Sequence, residues 1–316
     1  MKLSIVIPVY NSEKTIGVVI EQLKSVLDGE KYEVILINDG SKDNSYNVCK
    51  KLYEKNNNVV FINLSKNFGQ HNALMAGYSV SKGEYVLSMD DDLQTSPSEV
   101  LRLLNEIEKN NYDVIFANYD NKKHSKLRNI GTLINNKMSE ILIEKPKNLI
   151  LTSFFIMKKY VVKEMLKYDG PYPYISGLKL RTTDKIGTIM VEHKERKIGK
   201  SNYTFWKLLK LWLNGFTSFS VKPLRIASIT GLLFSLIGFL YGFFLIIRKL
   251  INPNQSVILG WNSLMVVLLV VSGIQIMFLG LIGEYIGRIY VYMSKKPQYV
   301  IKEIYKKEGD KNDTIQ

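Results

Sequence analysis

The sequence predicts an α/β protein whose mostly parallel sheet carries helices on both faces and is followed by two membrane-spanning helices. Within residues 1–117, short apolar runs alternate with stretches of helical periodicity. This rhythm is typical of a parallel sheet that is buried on both sides. Toward the C-terminal end, the segments 226–247 and 262–283 contain no charged residue. Each is long enough to cross a hydrocarbon core.

Five strands are predicted in the first part of the chain, because each is a short apolar run of strand length. They are Leu3–Ile7, Glu33–Ile37, Val59–Asn63, Tyr85–Met89 and Val114–Ala117. Helices are predicted near residues 13–27, 43–55, 70–80 and 98–109. In such sheets, ligands bind outside the carboxyl ends of the strands. Polar residues gather at those ends: Asn11, Asp39-Gly40-Ser41, Lys66-Asn67 and Asp90-Asp91-Asp92.

Three consecutive carboxylates follow the fourth predicted strand. Successive side chains of an extended segment point to opposite faces, so Asp90 and Asp92 can converge on one ion while Asp91 points away. Hard oxygen ligands suit Mg²⁺ or Mn²⁺. An acidic loop can also be a solvated turn or a helix cap, but three adjacent carboxylates repel one another without a cation. The sequence therefore favours a metal site at Asp90 and Asp92.

Basic residues flank the apolar C-terminal segments. The formal net charge is +14, and much of the excess lies in 193–225 and 288–307. This position favours a membrane surface as the partner and not nucleic acid. One side of the two spans carries Lys207, Lys210, Lys222, Arg225, Arg288, Lys295 and Lys296, and the other carries only Arg248 and Lys249. The positive-inside rule then predicts a multi-pass plasma-membrane protein whose N-terminal domain and C-terminal tail are cytoplasmic.

Four segments are predicted along the chain. Residues 1–200 form a cytoplasmic catalytic domain, 201–222 an amphipathic segment at the membrane interface, 223–290 the two spans, and 291–316 a cytoplasmic tail. The amphipathic segment could instead be a helix that docks on the catalytic domain. The single cysteine, Cys49, excludes an internal disulfide and agrees with a reduced compartment.

Four ordered motifs resemble those of family 2 glycosyltransferases, which have the Rossmann-like GT-A fold. They are Pro8-Val9-Tyr10-Asn11, Asn38-Asp39-Gly40-Ser41, Asn67-Phe68-Gly69-Gln70 and Met89-Asp90-Asp91-Asp92-Leu93-Gln94. A later element is similar to the H-x-x-R-x-x-G-x-S-x-Y pattern of the branch that acts on polyprenyl phosphate. Its residues are His193, Arg196, Gly199, Ser201 and Tyr203. Ser218-Phe219-Ser220 and Pro223-Leu224-Arg225 then lead into two spans, as in bactoprenol glucosyltransferases and aminoarabinose transferases.

The resemblance implies inverting transfer of a sugar from a nucleotide-sugar to polyprenyl (undecaprenyl) phosphate, with Mg²⁺ or Mn²⁺ as cofactor. It implies a nucleotide-sugar pocket formed by Pro8, Tyr10, Asn11, Asp39, Lys66 and Asp91, and a catalytic group of Asp90, Asp92, Gln94, Arg128 and Arg196. Arg196, Ser201 and Tyr203 are the residues expected at the acceptor lipid phosphate. A guanidinium offers a planar fork of donors that fits phosphate oxygens, which supports Arg128 and Arg196 as phosphate ligands.

One departure and two alternatives accompany this interpretation. Many relatives carry Phe-Arg after a small or acidic residue where this chain has Ser153-Phe154-Phe155, so the chain lacks an arginine that the resemblance implies as a phosphate or acceptor contact. A processive polysaccharide synthase would carry a Q-x-x-R-W element, which the sequence lacks. A non-catalytic scaffold or flipping component would not need the acidic loop.

The resemblance favours glucose as the donor sugar, ahead of mannose, N-acetylhexosamine and modified aminosugars. A homo-oligomer is also compatible with the resemblance.

Overall fold

The computed structural model describes residues 1–119, 140, 145–147, 149–191, 222–251 and 260–307. The chain divides into two compact units. The first unit comprises Met1–Gly215 together with Lys295–Gln316, and the second comprises Phe216–Ser294.

The first unit is built on one sheet, to which the described residues contribute eight strands. They are β1 (Leu3–Val9), β2 (Tyr32–Asn38), β3 (Val59–Leu64), β4 (Tyr85–Ser88), β5 (Val114–Tyr119), β6 (Phe155–Lys158), β7 (Ile186–Val191) and β8 (Ile301–Tyr305). The strand order is β7-β5-β6-β4-β1-β2-β3-β8. β1 to β4 pair in parallel with one another, as do β5 and β7, whereas β6 and β8 run antiparallel to their neighbours. The predicted mostly parallel sheet is confirmed.

Six helices of the first unit are described. They are α1 (Ile16–Val26), α2 (Ser45–Lys55), α3 (Gln70–Val80), α4 (Ser98–Lys109), α5 (Lys159–Met165) and α6 (Ile175–Thr182). The apolar residues of α1 recur at helical spacing, and Ile16, Val19, Ile20 and Leu23 are all buried. Because such a stripe must be covered, α1 packs with α4 on one face of the sheet. α3 covers the other face, where Gly77 lies directly against Val6 and Ile37.

The C-terminal tail contributes a strand that the sequence does not predict. Within 291–316, residues Ile301–Tyr305 form β8, which pairs antiparallel with β3 at the edge of the sheet. The Tyr305 ring stacks on the Phe61 ring, with centroids 5.5 Å apart and planes 9° from parallel. This part of the tail is therefore built into the fold of the first unit.

The second unit contains two long helices, α7 (Lys222–Ile251) and α8 (Trp261–Met293), which include the two predicted spans. By length and composition, one described stretch, Val271–Met293, could cross a membrane, and a shorter apolar stretch covers Ala227–Tyr241. Large apolar side chains on both helices are exposed, such as Leu232 (72%), Phe239 (71%) and Leu279 (67%). Exposed apolar surface of this extent is unfavourable in water and marks an interaction surface. The predicted interfacial segment, 201–222, lies outside the described residues except for its last residue.

Candidate active site

The loops after β1 and β2 are joined by direct hydrogen bonds at the carboxyl end of the sheet. The Asn11 backbone N–H donates to Ser41 Oγ (3.1 Å), and the Lys42 N–H donates to Asn11 Oδ1 (2.8 Å). Asn11 has a left-handed backbone conformation (φ 55°), which Asn tolerates better than most residues. Tyr10 is exposed beside it. The two loops therefore form one continuous wall with Tyr10 at its surface.

Asp39 is buried and connects the loop after β2 to the start of α3. Its carboxylate accepts hydrogen bonds from the backbone N–H groups of Phe68 (2.7 Å) and Gly69 (2.9 Å). Its backbone carbonyl accepts a third, from Asn67 Nδ2 (3.0 Å). Burial raises the pKa of Asp39, although the two N–H donors oppose this shift. In this structure, the carboxylate predicted to contact the nucleotide holds the loop that precedes α3.

Gly40 permits the close approach of these loops. Its φ of +63° lies in the left-handed region, which glycine adopts without strain. A Cβ at this position would lie 2.6 Å from the Lys66 carbonyl carbon and closer still to the Asn67 backbone nitrogen. Because both neighbours are backbone atoms, the loop after β3 would have to move for any side chain to fit.

The acidic loop after β4 is held from two other elements. Asp90 accepts hydrogen bonds from Gln70 Nε2 (2.8 Å) at Oδ1 and from Ser153 Oγ (2.5 Å) at Oδ2. Asp92 accepts one from the Gln94 backbone N–H (3.1 Å). Gln70 is the first residue of α3, and Ser153 precedes β6.

Strain and charge are concentrated in the same loop. Leu93 has φ +62°, a conformation that is costly for a residue with a side chain, and residues strained in this way cluster at functional sites. Burial, together with the charges of Asp90 and Asp92, raises the pKa of Asp91 to about 7. Hydrogen bonds from the Ser12 side chain and the Tyr10 N–H (3.4 Å) act against this rise. The loop therefore has an excess of negative charge that a cation would relieve.

These residues fit a divalent cation that is shared with a ligand. No group of three His, Cys, Asp or Glu side chains within the described ranges is arranged to hold a metal ion on its own. Asp90 and Asp92 offer carboxylate oxygens, which Mg²⁺ and Mn²⁺ prefer. Mg²⁺ is commonly bound by one or two carboxylates together with substrate phosphates. The site thus matches a metal that binds together with a diphosphate.

The other predicted residues divide into those that lie near this edge and those outside the described chain. Pro8 is in β1 beside Ile37 of β2, and Lys66 is exposed with its Nζ 5.3 Å from the centroid of the Phe68 ring. Gln94 follows the acidic loop directly. Arg128, Arg196, Ser201 and Tyr203 lie outside the described residues, and their assignments stay predictions.

Two residues of this group, Gln70 and Ser153, receive no role from the sequence. Gln70 ends the motif Asn67-Phe68-Gly69-Gln70, and Ser153 directly precedes the Phe-Phe pair that departs from the relatives' pattern. Neither position carries a local signal for contact with Asp90, since the partners are 20 and 63 residues apart in the chain.

Phe155, the second residue of the departing Phe-Phe pair, is buried on β6 and does not line the site. Lys179 of α6 lies against its buried face, with Nζ 3.0 Å from the Phe155 ring centroid and 4.2 Å from that of Phe116. Lys179 is fully buried, and Nζ has no hydrogen-bond partner. Burial lowers its pKa well below 10.5. This amine therefore does not replace a missing arginine at the surface of the site.

Two family descriptions match the chain. Residues 4–166 match glycosyl transferase family 2, and residues 222–289 match the GtrB C-terminal hairpin. The glycosyltransferase YkcC of Bacillus subtilis (strain 168) is 36% identical over 307 residues, which cover 96% of this chain and 94% of that protein. The undecaprenyl-phosphate 4-deoxy-4-formamido-L-arabinose transferase of Shewanella sediminis (strain HAW-EB3) is 34% identical over 319 residues, covering 99% and 95%.

Solved structures share the fold of the first unit. Glucosyl-3-phosphoglycerate synthase from Mycobacterium tuberculosis, in complex with Mn²⁺, UDP and phosphoglyceric acid, has a TM-score of 0.52 at 17% identity. The similarity covers 67% of this chain and 75% of that one. At 17% identity, the similarity establishes the GT-A fold, and the substrates of that enzyme are not inferred for this chain.

Proposed function

The chain belongs to glycosyltransferase family 2, and from this premise we propose that it transfers a sugar from a nucleotide-sugar to polyprenyl phosphate with inversion. The observation that carries the proposal is the meeting of four motif loops at one edge of the sheet. Hydrogen bonds join Tyr10 to Asp91, Asn11 to Ser41, Asp39 to Gly69, and Gln70 to Asp90. Such an edge is where α/β sheets bind their ligands.

The acceptor is supported by the relatives and by the chemistry of the nucleophile. Two relatives are 34% identical to this chain, and each aligns with it over nearly the whole length of both proteins. Both are named undecaprenyl-phosphate 4-deoxy-4-formamido-L-arabinose transferase. A phosphate monoester has a second pKa of about 6 and is largely a dianion at neutral pH. No proton must be removed from it, so a general base is optional. Catalysis then depends on positioning and on stabilising the charge of the leaving group.

In the proposed reaction, an oxygen of the acceptor phosphate attacks the anomeric carbon. The bond from that carbon to the diphosphate oxygen breaks, and the nucleoside diphosphate leaves. Asp90 and Asp92 would hold Mg²⁺ or Mn²⁺, which supplies positive charge to the diphosphate. Gln70 and Ser153 orient Asp90 for this purpose. Arg128 and Arg196 are proposed phosphate ligands, with Arg196, Ser201 and Tyr203 on the acceptor side.

The donor is proposed to be UDP-glucose, with a nucleotide-linked 4-deoxy-4-formamido-L-arabinose as the second candidate because of the relatives' names. The loops after β1 and β2 would hold the nucleotide through Pro8, Tyr10, Asn11 and the Asp39 loop. The fold neighbour that binds UDP together with Mn²⁺ supports this pairing of nucleotide and metal.

We place the catalytic unit on the cytoplasmic face of the plasma membrane, with the hairpin crossing the membrane twice. Strand β8 follows the hairpin and pairs with β3, which precedes it. This pairing supports entry to and exit from the membrane on the same side, because a single crossing would separate β8 from β3. The match to a C-terminal hairpin and the exposed apolar side chains of α7 and α8 support two crossings.

A panel of nucleotide-sugars tests this function directly. The purified full-length chain in detergent is mixed with polyprenyl phosphate, a divalent cation and one nucleotide-sugar at a time, and the lipid product is detected by mass. We expect one donor to give a lipid-linked monosaccharide. Efficient transfer to a water-soluble oligosaccharide, with polyprenyl phosphate left unchanged, would contradict the proposal.

A further inference from the structure

A row of hydrogen-bonded polar groups crosses the sheet from β8, at its edge, to the loop after β2. Asn38 on β2, Asn63 on β3 and Glu303 on β8 are partners in the strand register. Asn63 Nδ2 donates to Glu303 Oε2 (3.1 Å), and Asn38 Nδ2 donates to Asn63 Oδ1 (2.8 Å). The Ser41 backbone N–H donates to Asn38 Oδ1 (3.3 Å). We name these four groups the amide relay.

Glu303 determines how the two asparagine amides of the amide relay are oriented. Hydrogen bonds from Tyr46 and Asn63 hold the pKa of Glu303 below its ordinary value, so the side chain is a carboxylate at neutral pH. A carboxylate only accepts hydrogen bonds, whereas an asparagine amide can face its partners in either orientation. Because Glu303 accepts, the Asn63 nitrogen must face β8 and its oxygen must face Asn38. The Asn38 oxygen is then turned toward the Ser41 N–H.

The end of the amide relay lies in the wall of the proposed donor pocket. Ser41 Oγ accepts the hydrogen bond from the Asn11 N–H (3.1 Å) that joins the loops after β1 and β2. Asn38 and Asn63 are 3% and 7% exposed and bond each other out of contact with water, whereas Glu303 is partly exposed, so water reaches the amide relay only at its Glu303 end. A buried polar group that loses its partner is costly, which makes the orientation of the two amides well defined.

We propose that Glu303 is a positioning residue for the donor side of the site, acting through Asn63 and Asn38 on the Ser41 loop. This inference rests on the proposed function, since it assumes that the loops after β1 and β2 bind the nucleotide. It gives the strand that follows the hairpin a part in donor binding, although that strand and Ser41 lie near opposite ends of the chain.

Contacts outside the amide relay anchor β8 at the edge of the sheet. The Tyr305 ring stacks on Phe61, and Tyr53 OH donates to the Lys306 carbonyl (3.0 Å). These contacts hold the strand at the edge of the sheet without involving either asparagine. A variant that weakens only the anchor can therefore be compared with one that breaks the relay.

The experiment measures binding of UDP and of GDP, each with Mn²⁺, to the full-length chain in detergent by calorimetry. Glu303→Ala should weaken binding of the nucleotide that the wild type prefers by roughly three- to tenfold, as expected for one lost hydrogen bond. The KM for the donor should rise by a similar factor, while kcat and the KM for the lipid stay unchanged. Glu303→Gln keeps an acceptor oxygen and should recover most of the affinity.

Two controls separate positioning from simple stabilisation. Tyr53→Phe removes one anchor of β8 and should lower the melting temperature without changing nucleotide affinity. Lys302→Ala changes an exposed neighbour on the same strand and should change neither.

A paired substitution tests the direction of the relay even if Glu303→Ala does not fold. Asn63→Asp places two carboxylates face to face and should weaken nucleotide binding. Adding Glu303→Gln supplies an amide donor to the new carboxylate, which can still accept from Asn38, so affinity should return. Failure of this rescue, or Glu303→Ala with wild-type nucleotide affinity and donor KM, would overturn the inference alone. A wild-type chain that binds neither nucleotide would overturn the proposed function, and this inference with it.

Discussion

The Ser153 hydroxyl donates a 2.5 Å hydrogen bond to Oδ2 of Asp90 and so links the segment before β6 to the acidic loop after β4. Gln70 Nε2 donates to the other oxygen from the first turn of α3. Asp90 is therefore fixed by two neutral donors on separate elements. Such outer partners orient a metal ligand without contacting the metal themselves.

The first prediction is that Asp90→Ala and Asp92→Ala abolish sugar transfer while the chain remains folded. Each removes a carboxylate from the proposed metal site, so the loss should exceed about a hundredfold, more than the change of an outer partner causes. Lipid product formation measures the activity, and circular dichroism with a thermal melt measures the fold.

Ser153→Ala is the matched variant for this prediction. It leaves both carboxylates in place and removes only the hydroxyl that orients Asp90, so activity should fall by roughly ten- to a hundredfold. Substantial transfer by Asp92→Ala, or full wild-type activity in excess chelator, would contradict the metal assignment.

The second prediction concerns Gly40, whose replacement by Ala should weaken donor binding and lower stability by about 1–3 kcal/mol. A Cβ there meets the backbone of Lys66 and Asn67 in addition to the strain of φ +63°. Gly29→Ala is the control, because Gly29 has φ +84° but open space around it. Equal destabilisation by both variants, with unchanged donor KM, would show that the close approach at Gly40 is unimportant.

The strands and helices between Leu3 and Tyr119 follow from local patterns in the sequence. β1 to β5 are short apolar runs, and α1 and α4 carry apolar residues at helical spacing, so the sequence predicts these elements with boundaries that differ by a few residues at most. The polar residues at the strand ends were also predicted to lie at one edge, because parallel strands place their carboxyl ends together.

The parts that were missed depend on partners that are distant in the chain. β8 turns Ile301, Glu303 and Tyr305 inward and leaves Ile304 exposed (40%), so its pattern does not separate apolar from polar residues. The charged Glu303, on the less exposed side of the strand, accepts hydrogen bonds from Asn63 and Tyr46, which the local pattern does not reveal. Likewise, the N–H donors to Asp39 come from residues 29 and 30 positions away.

The third prediction is that Arg196→Lys impairs transfer and Arg196→Ala impairs it further. Lysine keeps the charge but cannot reproduce the planar fork that fits a phosphate. We propose the acceptor phosphate as its partner, so the KM for the lipid should rise while nucleotide affinity changes little. A selective loss of nucleotide affinity would move Arg196 to the donor diphosphate, and unchanged kinetics for both substrates would show that it is an interfacial charge only.

The fourth prediction follows from the pairing of β8 with β3, which requires an even number of membrane crossings. Cys49 is buried, so a single added cysteine can be labelled selectively with a membrane-impermeant maleimide. Asn254→Cys, in the segment between the two helices, should react in intact cells. Lys302→Cys, on the exposed side of β8, should react only after the membrane is opened. Labelling of both positions only after opening would indicate a hairpin that does not cross.

The fifth prediction is that Lys179→Met stabilises the chain at neutral pH by about 1–3 kcal/mol, the cost of a buried polar group without a partner. Met fills a similar volume against Phe116 and Phe155 without an amine. Burial lowers the pKa of Lys179 well below 10.5, so the unfolded state binds more protons and wild-type stability rises with pH up to that value. The gain from Lys179→Met should therefore shrink as the pH rises from 7 toward 10.5.

Thermal melts across this pH range measure the gain in stability. Lys145→Met is the control, because the buried Lys145 donates to the Leu149 carbonyl (2.5 Å) and its replacement should gain nothing. A loss of stability in Lys179→Met at pH 7, or a gain that grows with pH, would mean that the amine is held charged by the two rings.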